Sequence, residues 1–264
     1  MVPEEHARIP VGNRGFLYGD GCFETIRLHR GAPFRLEAHL TRLHQSLELL
    51  RFESGWSRHD LLQGMRKVVE ANHLEDGLVR LTLTVGERPT TRGTATITTR
   101  SLPEIPADPA LHVSIHAKRL SGPLSQCKSI SRVAESVALR EANEEGAFDA
   151  ILLNEKGRVA ETTSRNVFLV VDGGLWTPPT YDGALAGVTR AVVIEIARRE
   201  KIRLKEASVS LQRLRSADEV VITGSGVGVL GIGSIDGHRV EAPGPVTRRL
   251  RTAYDSALET ESGW

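Results

Sequence analysis

The sequence predicts a two-lobed α+β fold, and three observations carry that reading. Leucines spaced by four and three mark amphipathic helix near the N-terminus, the apolar period then drops to two as in a strand, and beyond a proline-marked segment the mixture of helix and strand starts again. The stripe Leu36, Leu40, Leu43, Leu47, Leu50 predicts a helix over about 35–51. Leu61, Leu62, Met65, Val68 and Val69 predict a second one after Gly55. Val79, Leu81, Leu83 and Val85 alternate with Leu78, Arg80, Thr82 and Thr84, as a half-buried strand does. Residues 95–99 and the series Leu111, Val113, Ile115 extend the strands. Four prolines between 103 and 123 mark a change of territory, so the lobes are expected at 1–119 and 124–264 with a linker at 120–123. A helix is then predicted over about 132–145, ended by Gly146. Strands follow at 149–154 and 159–163, joined by the turn Asn154-Glu155-Lys156-Gly157, and a third at 167–171. A helix over 188–200 and a strand over 219–223 complete the series, and Gly19 and Gly21 predict a tight turn before a strand at 25–29.

Composition narrows the function classes. Across 264 residues, 34 Lys+Arg stand against 33 Asp+Glu, a net charge of +1, with 40% hydrophobic and 25% charged residues. That balance is ordinary for a globular protein and supplies no broad electrostatic drive toward nucleic acid or an anionic membrane. No apolar run approaches the roughly 18 residues of a membrane span. The opening Met-Val-Pro-Glu-Glu-His lacks the layout of a secretory signal, which predicts a cytoplasmic protein. Cys22 and Cys127 are too few for a disulfide framework and have no companions at metal-ligand spacing, so no metal is expected.

Three places attract chemical attention. Only 6 of the basic residues are lysines, and Lys128 stands in Gln126-Cys127-Lys128-Ser129-Ile130-Ser131 with no other charge within three residues. A buried lysine there would lose its proton readily and serve as an amine nucleophile; the residues alone equally allow a surface lysine. Glu161 lies among small and polar neighbours on a strand, Val159-Ala160-Glu161-Thr162-Thr163-Ser164. Buried, it needs a cationic or hydrogen-bonding partner, and a heterocyclic nitrogen would do; an edge-strand glutamate is the other reading. Thr223-Gly224-Ser225-Gly226-Val227-Gly228 follows a strand and offers backbone amides to an anion, without the spacing of a dinucleotide or P-loop fingerprint.

In combination these segments carry a family likeness. The run Arg14-Gly15-Phe16-Leu17-Tyr18-Gly19-Asp20-Gly21-Cys22-Phe23-Glu24-Thr25, then Phe34 and His39-Leu40-Thr41-Arg42-Leu43, then Lys128, Glu161 with Asn166-Val167-Phe168, and Gly187-Val188-Thr189-Arg190 resembles the class IV (fold-type IV) pyridoxal-phosphate enzymes. That family contains branched-chain and D-amino-acid aminotransferases and aminodeoxychorismate lyase. The likeness spans about residues 8–250 in order. It implies a small N-terminal α/β lobe, a larger C-terminal cofactor lobe with a mixed, barrel-like sheet and flanking helices, pyridoxal 5'-phosphate as cofactor, and a homodimer.

The resemblance also implies roles. Lys128 would form the internal aldimine and shuttle the α-proton, since one amine must both hold the aldehyde carbon and then stand free beside Cα. Glu161 would face the pyridine nitrogen and keep it protonated. The phosphate would be held by Arg42, by the amides of Val188 and Thr189 at a helix start, and by Ser225 and Gly226. Tyr18 and Phe23 fall in the substrate pocket, and Arg132 stands where an arginine is familiar in the lyase members. Where members often have Arg-Gly, Val85-Gly86 stands here, so the expected carboxylate-binding arginine is either lost or moved to Arg88 or Arg92. Arg165 replaces a small residue before Asn166 and either binds a substrate carboxylate or reaches water. Leu230-Gly231 replaces a common Pro-Val, and the opening strand is expected to be short or missing. The leading function is transfer of an α-amino group between an amino acid and a 2-keto acid. The alternatives are release of pyruvate and 4-aminobenzoate from aminodeoxychorismate, and a catalytically silent cofactor-binding relative.

Overall fold

The computed structural model describes residues 2–87 and 92–264, and the chain groups into two compact units. The first comprises the residues up to 102 together with 127–132 and 261–264. Its elements are α1 (Arg14–Tyr18), β1 (Gly21–His29), β2 (Ala32–Pro33), α2 (Leu36–Leu49), α3 (Arg58–Ala71), β3 (Gly77–Thr84) and β4 (Thr94–Arg100). The sheet runs β2-β1-β3-β4 with every pairing antiparallel. The predicted apolar stripes close its core: Leu36, Leu40 and Leu43 of α2 and Leu61, Met65 and Val69 of α3 gather with Ile26, Leu28, Val79, Leu81 and Leu83. Helix α3 begins at a capping box in which Ser57 and Asp60 satisfy each other's backbone amides. The register pairs Phe23 with Thr82 and Thr25 with Arg80, so strand alternation puts these four on the sheet face opposite that core.

The second unit holds residues 103–126 and 133–260. It contains β5 (Ala110–Arg119), α4 (Val133–Glu144), β6 (Asp149–Asn154), β7 (Arg158–Thr162), β8 (Asn166–Val171), β9 (Gly174–Thr177), α5 (Val188–Arg199), β10 (Leu204–Glu206), β11 (Val209–Ser210), α6 (Leu211–Arg215), β12 (Glu219–Gly224), β13 (Gly228–Ile232), β14 (Ser234–Ile235), β15 (His238–Arg239) and α7 (Pro245–Glu261). A mixed sheet in the order β11-β7-β6-β5-β14-β15 and a second in the order β10-β9-β8-β12-β13 share one core. Leu111, Val113, Ile151 and Val159 enter it from the first sheet, and Val167, Leu169, Val220, Ile222 and Ile232 from the second. Helix α4 buries Ala138 and Ala142 against Ala117, Ala150 and Leu152 of the six-stranded sheet.

Four features depart from the sequence expectation. The expected first lobe ended at 119, yet β5 belongs to the second unit because it pairs in parallel with β6. Residues 127–132, expected in the second lobe, belong to the first, because Ser129 bridges Cys22 and the Phe23 amide donates to the Lys128 carbonyl at 2.9 Å. The glycine corner is the end of helix α1: Gly19 caps it at φ +68° and Gly21 already lies in β1. Helix α7 was not anticipated, although Val246, Leu250, Tyr254 and Leu258 carry the spacing. Leu81 is wholly buried in the first core; Leu81→Ala should cost about 2–5 kcal/mol in urea unfolding with an unchanged slope.

Candidate active site

In the N-terminal unit the site grows from β1 and α2. Glu24 is the one carboxylate on the core face of β1, fully buried, and two residues one turn apart on α2 meet it. Arg42 donates from Nε to Oε1 at 2.8 Å and from Nη2 to Oε2 at 2.7 Å, a side-on fork, while His39 Nδ1 lies 2.7 Å from Oε2. Burial by itself would raise the Glu24 carboxyl; the Arg42 charge and the hydrogen bonds from Arg42 and His39 outweigh it and hold the group well below the usual carboxylate range. Burial pushes His39 the other way, toward the neutral imidazole that donates from Nδ1. Arg42 therefore stands with one edge of its guanidinium locked by Glu24. Ser46, a further turn along α2, bonds the Lys128 amide at 3.2 Å and so ties the lysine's segment to the same helix.

The opposite face of that sheet gathers cations. The Phe23 ring lies under Arg80 (Cζ 3.7 Å from the centroid), Lys128 (Nζ 4.7 Å) and Arg132 (Cζ 5.7 Å). Burial, with Arg100 and Arg132 nearby, brings Arg80 down to about 10. Its one protein hydrogen bond is to the Thr82 hydroxyl at 3.2 Å, and no carboxylate among the described residues pairs with it. Sequence reasoning passed over Arg80 as an alternating polar residue; the signal was a permanent charge in mid-strand, where a hydroxyl or neutral residue would serve as well. Of the two expected arginines only one is described. Arg92 stacks on Trp56 at 3.7 Å and reaches Asp60 at 3.7 Å, and Arg88 falls outside the described residues. Tyr18 is 67% exposed at the end of α1, with Arg14 stacked on its ring.

The C-terminal unit supplies a second constellation. Glu161 sits on β7 between β6 and β11, buried rather than at an edge. Its Oε2 accepts from Asn166 Nδ2 at 3.1 Å and from the Leu185 amide at 3.0 Å, and its Oε1 lies 3.2 Å from Arg119 Nε. Arg119 divides its charge between Glu161 and the buried Glu135. Asn166 pairs in register with Thr223, and its Oδ1 occupies the space a side chain at position 187 would need, so only glycine fits there. Gly187 starts α5 without a side-chain cap, leaving the first amides, at Val188 and Thr189, to another acceptor. Nearby Thr223 Oγ1 is buried with no partner among the described residues, and Ser225 and Gly226 form the turn that follows it. An uncapped helix start beside an orphaned hydroxyl fits a phosphate group.

Arg165 was expected to bind a substrate carboxylate or reach water, but its charge is taken by a protein carboxylate: it pairs with Asp149, which is wholly buried and also accepts from the Thr162 and Thr163 hydroxyls, and only a small part of the Arg165 side chain stays exposed. Arg165 supplies the opposite charge that offsets the desolvation of so deep a carboxylate.

Residues 21–235 match the family model of amino-transferase class IV. The chain belongs to that family. It is 30% identical to a D-alanine aminotransferase of Listeria monocytogenes over 276 residues, covering 100% of this chain and 95% of that one. A branched-chain amino acid aminotransferase from T.th. solved with pyridoxamine 5'-phosphate superposes with a TM-score of 0.90 at 28% identity, covering 98% of this chain and 92% of that one. A Legionella pneumophila protein provisionally named a 4-amino-4-deoxychorismate lyase superposes at 0.89 with 27% identity, covering 96% and 97%. As a member of a pyridoxal-phosphate-dependent family, the chain is an enzyme that uses that cofactor. None of the described helices is long and apolar enough to cross a membrane.

The depressed carboxyl of Glu24 contributes stability that is complete above its ordinary value of 4.5 and is lost as pH falls toward its folded value. Buried neutral His39 adds a loss that begins below 6.5, where the unfolded imidazole takes up a proton. Unfolding free energy should thus fall from pH 7 to pH 4 in urea titrations. Glu24→Gln should cost roughly 3–5 kcal/mol at pH 7, by leaving Arg42 buried and unpaired, and should flatten the part of that pH dependence below about 4.5.

Proposed function

We propose that this enzyme is a transaminase acting on amino and keto acids, with Lys128 as its catalytic amine. The observation that carries the reading is the Phe23 ring and the cations gathered on it. The Lys128 amine and two arginines share one aromatic platform, and no carboxylate among the described residues pairs with the half-buried Arg80. A substrate carboxylate would complete that charge balance while bringing Cα toward the lysine. Bound pyridoxal phosphate supplies the electron sink that makes the α-proton of an amino acid labile.

The chain's own residues then divide the work. Lys128 Nζ attaches the cofactor and moves the proton at the substrate's α-carbon. Glu161, oriented by Asn166 and Arg119, holds a proton on the pyridine nitrogen. Arg42 with the Val188 and Thr189 amides, Ser225 and Gly226 binds the phosphate; Arg80 and Arg132 bind carboxylate. Phe16, Leu17 and Tyr18 of α1 are 69%, 50% and 67% exposed, an apolar surface that a second copy of the chain would cover, which supports a homodimer with Tyr18 at the substrate. Two buried free thiols, Cys22 and Cys127, suit a reducing cytoplasm. The second reading, an aminodeoxychorismate lyase, is favoured by Arg132 and by the Legionella likeness.

Purified holoenzyme should absorb in the visible, and Lys128→Ala should abolish the borohydride-reducible link to the cofactor; a colourless wild type after reconstitution would overturn the proposal. Adding a single amino donor without a keto acid should bleach that band stoichiometrically. Release of pyruvate from aminodeoxychorismate with no acceptor present would establish the lyase instead. Arg80→Ala should raise the KM for the amino donor by about 10- to 100-fold while leaving the cofactor spectrum intact.

A further inference from the structure

We propose that the C-terminal unit carries a second ligand site, for a small doubly charged anion, at the outer margin of its five-stranded sheet. A cleft of about 680 Å³ opens there, lined by Trp176, Arg203, Lys205 and Arg213 with the β8–β9 turn around Asp172. That volume lies within the range of small-molecule sites. None of Lys128, Glu161, Thr189 or Ser225 lines it, so it is separate from the residues assigned above to cofactor and substrate.

The fold builds this cleft in three steps. Parallel pairing of β9 and β10 sets Lys205 opposite Trp176, so both side chains leave the same face. On its other side Trp176 pairs with Leu169, a wholly buried core residue, so the indole extends the inner layer of the core to its margin. Helix α6 then brings Arg213 onto the ring from above the sheet margin. Lys205 Nζ lies 4.4 Å and Arg213 Cζ 4.3 Å from the ring centroid. Arg203 donates from Nη2 to the Asp172 carbonyl at 2.6 Å, which anchors a third cation at the cleft.

The charge is unbalanced. Neither Lys205 nor Arg213 forms an ion pair among the described residues, and Asp172 is the only acidic side chain lining the cleft. Cation–π contact holds the two head groups in place without neutralising them, so they are positioned for an anion in advance of its arrival. Because cations occupy the indole, base stacking is not on offer; the recognition is of charge. Two cations held on one indole, with Arg203 a third in the lining of the same cleft, suit a dianion, the chemistry shared by a phosphorylated and a dicarboxylic metabolite.

The test uses pyridoxal-phosphate-loaded enzyme, whose cofactor site is filled, titrated at constant ionic strength with inorganic phosphate in one arm and succinate in the other. Tryptophan fluorescence should change saturably within the millimolar range in at least one arm, and the arm that responds identifies the source of the dianion. Trp176→Phe should remove the signal. The double variant Lys205→Gln, Arg213→Gln should weaken binding by about tenfold or more, with the visible cofactor spectrum and circular dichroism unchanged. Isothermal calorimetry on the same double variant gives a readout independent of the tryptophan. No saturable response in either arm, or equal affinity in the double variant, would overturn the proposal.

Discussion

A charge taken out of water must be met by an opposite charge or by several hydrogen bonds, and this requirement organises both units. Glu24 is met by Arg42 and His39, Asp149 by Arg165 and two threonine hydroxyls, Glu161 by Arg119 and Asn166, and Arg190 by Glu206. Each pairing joins different segments of the chain through directional bonds, so it constrains register and orientation as apolar contacts do not. Arg80 departs from the rule: it is half-buried, and no carboxylate among the described residues pairs with it. That imbalance is what supports the proposal of a substrate carboxylate at Arg80.

The same networks hold the chemical groups still. Arg42 is forked by Glu24, so its direction is set by the protein itself. Glu161 keeps one oxygen on Asn166 and the Leu185 amide, and Asn166 in turn occupies the space beside Gly187 at the start of α5. One asparagine thus positions a carboxylate and helps shape the uncapped helix start. Arg119, shared by Glu161 and Glu135, balances that cluster from β5. Such groups need no reorganisation at the moment of reaction, which is the source of electrostatic preorganisation.

Periodicity alone determined most elements. The stripes on α2 and α3, the alternation in β3, the β6–β7 hairpin and the start of α5 were legible because each depends on side chains a few residues apart. The candidate lysine and glutamate were legible only as a family pattern, since nothing local distinguishes Lys128 from a surface lysine. Tertiary structure decided the rest, because long-range pairing depends on the whole chain. It assigned β5 to the second unit through parallel pairing, and residues 127–132 to the first through their bond to β1. It turned Arg165 to a buried aspartate and showed Arg80 as a guanidinium with no carboxylate among the described residues. Sequence spacing reports which residues share a helix or strand face; which charge ends up beside which is settled only when distant elements pack and the cost of desolvation has to be met.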